Sequence, residues 1–365
     1  MRWEELRDDA DGADEGALLS AAELRPPPRQ RGTGRAGLGS PGEGPVLAGG
    51  DDEPMAIEIR ARSIINRVPG ASHVPFSWTI NPYRGCSHAC RYCFARRTHE
   101  YLDLDSGRDF DTKIMVKVNA GELLRKELAH PRWCGEPIAM GTNTDPYQRA
   151  EGKYRLMSEI IAALCDFANP FSILTKGSLI LRDADLIAEA AAVTEVSVAV
   201  SVGFVDDTLW RAVEPGTPRP QRRLDVVRTF ADMGLGCSVL MAPILPGLTD
   251  TEEQIDRTVA AIAAAGAKHV TPLVLHLRPG AREWYSAWLA SEYPELVPRY
   301  RELYRRGSYA PKAYQETIAA RVRQARRRHG LIRERGENFR ENGSGAGEEA
   351  DEAETPATPA QLELL

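Results

Sequence analysis

The sequence lacks any apolar run approaching the roughly eighteen residues a membrane-spanning helix needs, so no bilayer crossing is expected. Cysteine is scarce, 6 in 365 residues at very uneven gaps. That excludes a small disulfide-stapled secreted scaffold and points to a cytoplasmic protein with reduced thiols. No apolar core follows the acidic opening MRWEELRDDADGADEGALLS, so no secretory signal is read there. Large apolar residues are also sparse at both ends. Residues 1–55 contain RPPPRQRGTGRAGLGSPGEGPVLAGGDDEP, and residues 341–365 read ENGSGAGEEADEAETPATPAQLELL. Such segments bury too little surface to offset their ordering entropy, so both are expected to be disordered.

The net charge of −6 conceals a division. Residues 1–55 carry 12 acidic and 6 basic side chains, and residues 341–365 carry 7 acidic and none basic, which leaves 40 basic against 33 acidic between them. Eight arginines against Glu334 and Glu337 fall within 321–340. The expected division is an acidic segment at 1–55, a folded core at 56–310, a basic C-terminal helix at 311–340 and an acidic tail at 341–365.

Within the core, short apolar runs alternate with amphipathic stretches. The runs are FSWTI (76–80), PIAMG (137–141), FSILT (171–175), EVSVAVSV (195–202), GCSVLMAPI (236–244) and HVTPLVLHL (269–277). Runs apolar on both faces belong to parallel strands covered by helices. The stretch TEEQIDRTVAAIAAAG starts at a cap, Asp250 or Thr251, and stops at Gly266. Pro218 and Pro220 precede another helix, QRRLDVVRTFADMG. Six βα units predict an α/β fold, a partial (βα)6 TIM-type barrel with parallel strands, extended by C-terminal helices.

The stretch NPYRGCSHACRYCFAR places Cys86, Cys90 and Cys93 within eight positions, and no fourth cysteine follows until Cys134. Thiolates ligate iron–sulfur clusters, and a fully ligated [4Fe–4S] cluster takes four. Three leave one iron open, as catalytic metal sites leave a position for substrate or cofactor. Arg84, His88, Arg91, Arg96 and Arg97 surround the thiols with positive charge. A structural zinc site is the alternative, but it favours paired C-x2-C patterns, and no second pair occurs.

C-x3-C-x-aromatic-C, here Cys86, Cys90, Tyr92 and Cys93, resembles the signature of radical S-adenosylmethionine (SAM) enzymes. The flanks NPYRGCSHACRYCFAR and GTNTDPYQRAE resemble the branch related to spore photoproduct lyase, often labelled DNA-repair photolyase-like. The resemblance spans roughly 58–320. It implies a [4Fe–4S] cluster on Cys86, Cys90 and Cys93, with SAM on the open iron, cleaved after one-electron reduction to a 5′-deoxyadenosyl radical. It also implies a reductant such as flavodoxin or ferredoxin. By position it places Tyr92 near the adenine and Thr142, Asn143 and Thr144 near the SAM amino group. Thr175 and Lys176 would meet the SAM carboxylate, Ser201 the ribose or carboxylate, and Ile244 and Leu245 the base. His276 and Arg278 would face substrate.

Spore photoproduct lyase uses a further cysteine as hydrogen donor after its second strand. No cysteine occurs here between 135 and 164. Cys134, Cys165 and Cys237 read as small buried hydrophobes, and Tyr83, Tyr92 or Tyr147 would have to serve as a relay instead. The run ARVRQARRRHGLIRERGENFR is a candidate phosphate-binding surface. Three functions therefore stand open: a radical SAM enzyme of unknown substrate, a DNA-lesion repair lyase, and a non-catalytic iron–sulfur electron carrier.

Overall fold

The structure, a computed structural model, describes residues 54–69 and 74–331. The acidic segment expected at 1–55 lies outside them except for residues 54 and 55, as do the acidic tail and residues 332–340 of the basic run. Ten strands form among the described residues: β1 (Met55–Ile59), β2 (Ile65–Arg67), β3 (Trp78–Ile80), β4 (Tyr83–Arg84), β5 (Lys113–Lys117), β6 (Ile138–Met140), β7 (Phe171–Thr175), β8 (Val196–Ser201), β9 (Ser238–Ile244) and β10 (His269–Val274).

Strands β3, β6, β7, β8, β9 and β10 lie side by side, each parallel to its neighbour, and β2 adds an antiparallel edge. These six are the apolar runs of the sequence, in the same order. Helices alternate with the strands, which makes the core a partial (βα)6 barrel. On the C-terminal side of the strands, the segment after the cysteines meets the segment after β10. There the Phe94 ring, just beyond the cysteines, lies 5.8 Å from the His276 ring beyond β10.

Helix limits follow from local chemistry. The Thr251 hydroxyl accepts from the Gln254 amide at 3.2 Å, and the Gln254 side chain accepts from the Thr251 amide in return. This capping box starts the helix Glu252–Ala264, and Gly266, at φ 79°, supplies the left-handed turn beyond its end. Pro220 opens the helix Pro220–Asp232 at a position where no amide hydrogen is required.

The C-terminal helix Lys312–Arg328 buries Ile318, Val322 and Ala325 along one stripe. Burying an Ile or Val side chain stabilises by about 1.5–3 kcal/mol, so the helix is held to the barrel by packing. No helix among the described residues is long and apolar enough to cross a membrane.

One element was not anticipated. Strands β1, β5 and β4 form a second sheet, with β1 parallel and β4 antiparallel to β5. Tyr83 and Arg84 pair with Val116 and Met115 immediately before the cysteines, so this sheet anchors the start of their loop.

Candidate active site

The cysteine loop leaves β4 through Gly85, whose φ is 82°. A Cβ there would stand 2.7 Å from the Lys113 carbonyl oxygen, so only glycine fits. The Cys86 amide then donates to the Phe110 carbonyl at 2.9 Å, and the Ala89 and Cys93 amides close tight turns on Cys86 and Cys90. Gln148 clamps the loop from outside. Its Oε1 accepts from the Ser87 amide and its Nε2 donates to the Gly85 carbonyl, both at 2.9 Å.

The three motif thiols line one cavity at the C-terminal ends of the barrel strands. Tyr92, Asn143, Thr175, Lys176 and Ser201 line the same cavity, and His276 closes its far side. Asp145 organises the wall between β6 and β7. It accepts from the Thr175 hydroxyl at 2.6 Å, the Lys176 amide at 2.6 Å and the Tyr147 amide at 2.9 Å, and it faces His88 Nδ1 at 3.4 Å. Burial pushes its carboxyl up, but His88 and these donors outweigh burial and hold it down at about 2. The Lys176 ammonium lies 5.7 Å from the centre of the Tyr92 ring.

Other sequence-selected residues point elsewhere. Thr142 shares a 2.7 Å hydrogen bond with Thr79, and Thr144 donates to the Tyr83 carbonyl at 2.8 Å. Ile244 and Leu245 are fully buried behind the wall, where Ala242 and Pro243 face the cavity. Ser201 lines the cavity while donating to the Ala242 carbonyl at 3.1 Å. Arg278 stacks over Phe94 at 5.6 Å. The Tyr83, Tyr147 and Tyr92 hydroxyls are each tied to a carboxylate, of Glu151, Asp183 and Glu214, and of these three relay candidates Tyr92 is the one that lines the cavity. Cys237 is buried and Cys165 half-buried, as expected of small hydrophobes, but Cys134 is exposed in the turn before β6. Its neighbours there are Trp133 and Gly135 on an open loop rather than a packed element.

The donor set fits an iron–sulfur cluster. Burial pushes the Cys90 thiol up to about 12 and raises Cys86 and Cys93 as well. Buried thiolates therefore need a cationic partner, and bound iron supplies one. Among the described residues no three His, Cys, Asp or Glu side chains converge on a single ion. A cluster takes one thiolate at each of several irons, so its ligands need not meet at one point. Two buried polar atoms on the wall have no partner, Asn143 Oδ1 and His276 Nε2. The wall thus still has hydrogen-bonding capacity to give to a ligand. Burial, with Arg278 nearby, lowers His276 to about 4, so the imidazole is neutral at physiological pH.

Sequence reasoning missed Gln148, Glu214 and Arg223. Glu214 and Arg223 form a fully buried ion pair behind Tyr92, whose hydroxyl donates to Glu214. The fragment VEPGT carried the available signal: an acidic residue and a glycine in a polar turn that nothing local explains.

The family description "Radical SAM superfamily" matches residues 80–259. An uncharacterized protein of Mycobacterium tuberculosis is 56% identical over 265 residues, covering 73% of this chain and 78% of that protein. An uncharacterized protein of Methanocaldococcus jannaschii is 29% identical over 204 residues, 55% of this chain and 72% of that one. Among solved structures, spore photoproduct lyase complexed with dinucleoside spore photoproduct superposes with a TM-score of 0.56 at 14% identity, over 75% of this chain and 79% of that chain. At that identity the likeness is one of fold.

Proposed function

The chain belongs to the radical SAM superfamily and is an enzyme, and from that premise we propose that its cavity binds a [4Fe–4S] cluster and SAM to abstract hydrogen from an organic substrate. One observation carries this reading: the three motif cysteines and five of the polar and aromatic residues selected for SAM line a single cavity. When bound, the cluster and SAM together supply reductive cleavage of the sulfonium to a 5′-deoxyadenosyl radical.

The chain's own groups hold and orient. Cys86, Cys90 and Cys93 are the cluster ligands in this reading. Lys176 offers a point charge to the SAM carboxylate, and its amide and Thr175 are fixed by Asp145. Asn143 Oδ1 is a free acceptor for the SAM amino group. Tyr92 stands beside the adenine, with Ala242 and Pro243 replacing Ile244 and Leu245 as its apolar wall. Ser201 contributes to the ribose side. His276 and Phe94 lie where the segment after the cysteines meets the segment after β10 and face the substrate. A flavodoxin- or ferredoxin-type reductant in a reducing cytoplasmic setting completes this reading.

The DNA-lesion lyase is the second reading, favoured by the fold shared with spore photoproduct lyase. Two observations weigh against it. Among the described residues, the cavity wall holds no cysteine beyond the three of the motif. Within the basic helix, Arg321 is engaged with Asp250 and Glu252, and Arg328 with Asp256, while Arg323 and Arg327 stay exposed. Absence of salt-dependent DNA binding at low ionic strength would remove this reading.

The test of the main proposal is anaerobic reconstitution followed by iron and sulfide analysis and SAM titration. Four irons per chain and saturable SAM binding support it. A chain that takes up zinc alone, or a loaded chain that ignores SAM, overturns it.

A further inference from the structure

The segment Val213–Thr217 is built against the cysteine loop. The Arg91 amide donates to the Val213 carbonyl at 2.9 Å, and the Gly216 amide donates to the His88 carbonyl at 3.0 Å. A Cβ on Gly216 would stand 2.1 Å from the Ser87 carbonyl oxygen, so the two backbones touch with no side chain between them. Glu214 follows the end of the helix Asp207–Val213 and turns inward, 0% exposed, to meet Arg223 on the next helix.

The pair has a specific set of partners. Glu214 accepts from the Tyr92 hydroxyl, between Cys90 and Cys93. Arg223 donates to Glu214 and, at 2.6 Å, to the Thr217 hydroxyl. It also donates to the Pro218 carbonyl at 2.9 Å and to the Ser201 carbonyl at 3.2 Å. Arg223 therefore joins the end of β8, where Ser201 lines the cavity, to the cysteine loop through Glu214.

A buried ion pair is costly to desolvate, and replacing one with apolar residues is often neutral or stabilising. Fold stability alone therefore does not account for placing one here. Its position does: Glu214 stands one hydrogen bond behind Tyr92, which lies between Cys90 and Cys93, and Arg223 runs from Glu214 to the Ser201 carbonyl at the cavity wall, so both charges sit directly behind the cysteine loop. Arg223 and Lys176 outweigh burial and keep Glu214 ionised.

We propose that the Glu214–Arg223 ion pair is a positioning element that fixes the cysteine loop through Tyr92 and sets the reduction potential of the cluster held there. The inference rests on the reading that Cys86, Cys90 and Cys93 hold a [4Fe–4S] cluster. Cluster potentials respond to net charge and hydrogen bonding around the sulfurs. Neutralising Glu214 leaves the Arg223 charge uncompensated in a low-dielectric interior, which favours the more negative, reduced cluster. Removing Arg223 leaves Glu214, which Lys176 and the Tyr92 hydroxyl still favour as the carboxylate and which a pH of 8.5 keeps ionised, and does the reverse.

The experiment is an EPR-monitored redox titration of the reconstituted full chain, at pH 8.5, for wild type, Glu214→Gln and Arg223→Gln. The expected result is a rise in midpoint potential for Glu214→Gln and a fall for Arg223→Gln. Shifts in opposite directions are not what a merely loosened loop gives, since loosening would move both the same way. Unchanged potentials, or shifts of one sign, in variants that carry four irons overturn the proposal. A variant with the wild-type circular dichroism that fails to take up iron supports the positioning role directly. A wild-type chain that takes up no cluster defeats the underlying reading instead, so the two failures are distinguishable.

Discussion

Asp145 and His88 face each other at 3.4 Å across the boundary between the cysteine loop and the turn after β6. Their side chains are 10% and 4% exposed, so the contact is a buried junction between the cluster loop and the wall that carries Thr175 and Lys176. A loop with three thiols has no helix or strand of its own to hold it, and this contact is part of what replaces them.

Asp145→Asn removes the charge while keeping the shape. The Asn amide would face donors that now find an acceptor, and His88 loses its partner. Leaving a buried donor such as the Lys176 amide without its acceptor costs about 1–3 kcal/mol. The variant is expected to unfold at lower urea with an unchanged slope, and to bind SAM more weakly. Urea titration with SAM calorimetry checks both, and wild-type values for both would show that the junction is idle.

His276 gives a pH dependence of definite sign. The folded chain holds the imidazole neutral, at about 4, because burial and Arg278 oppose its charged form. The unfolded chain titrates near the ordinary value of about 6.5. Between these values the unfolded state binds more protons, so stability is fullest above about 6.5 and falls as the pH drops toward 4. The loss is about 3 kcal/mol by linkage. Denaturation from pH 7.5 to 4.5 is expected to show a steeper loss for wild type than for His276→Gln. Parallel curves would contradict the buried, neutral assignment.

Gly141 tests the packing of the wall. Its φ is 83°, and a Cβ there would stand 1.8 Å from the Leu174 carbonyl oxygen. Gly141→Ala must displace the turn bearing Asn143 and Asp145 from β7. Strain of this kind costs on the order of 1–3 kcal/mol, and the expected signature is reduced SAM affinity with near-normal iron content. Wild-type SAM affinity would show that the turn does not contact the cofactor.

The six barrel strands were legible because each is a short apolar run bounded by turn residues, and the three cysteines because their spacing is local. Positions at strand ends, such as Thr175 and Ser201, followed once the strands were known. The small sheet was not legible: Met55 pairs with Lys113, and no local pattern encodes a partner that distant. The same holds for Gln148 and Glu214, which reach the loop across 61 and 122 residues. Ile244 and Leu245 were placed on the right segment, yet their side chains pack into the core, because position along a strand does not fix which side of the wall a side chain takes. Cys134 was read as buried from residue type alone, and its open turn overrides that preference.

The central claim is that Cys86, Cys90 and Cys93 form the working end of one cofactor cavity. Its most direct test is chromatographic assay of 5′-deoxyadenosine after anaerobic reconstitution, dithionite reduction and addition of SAM, for wild type and for Cys86→Ala, Cys90→Ala and Cys93→Ala. Formation by wild type and its loss in each single variant is the predicted result. Formation undiminished in the variants, or a fully loaded and reduced wild type that leaves SAM whole, would contradict it.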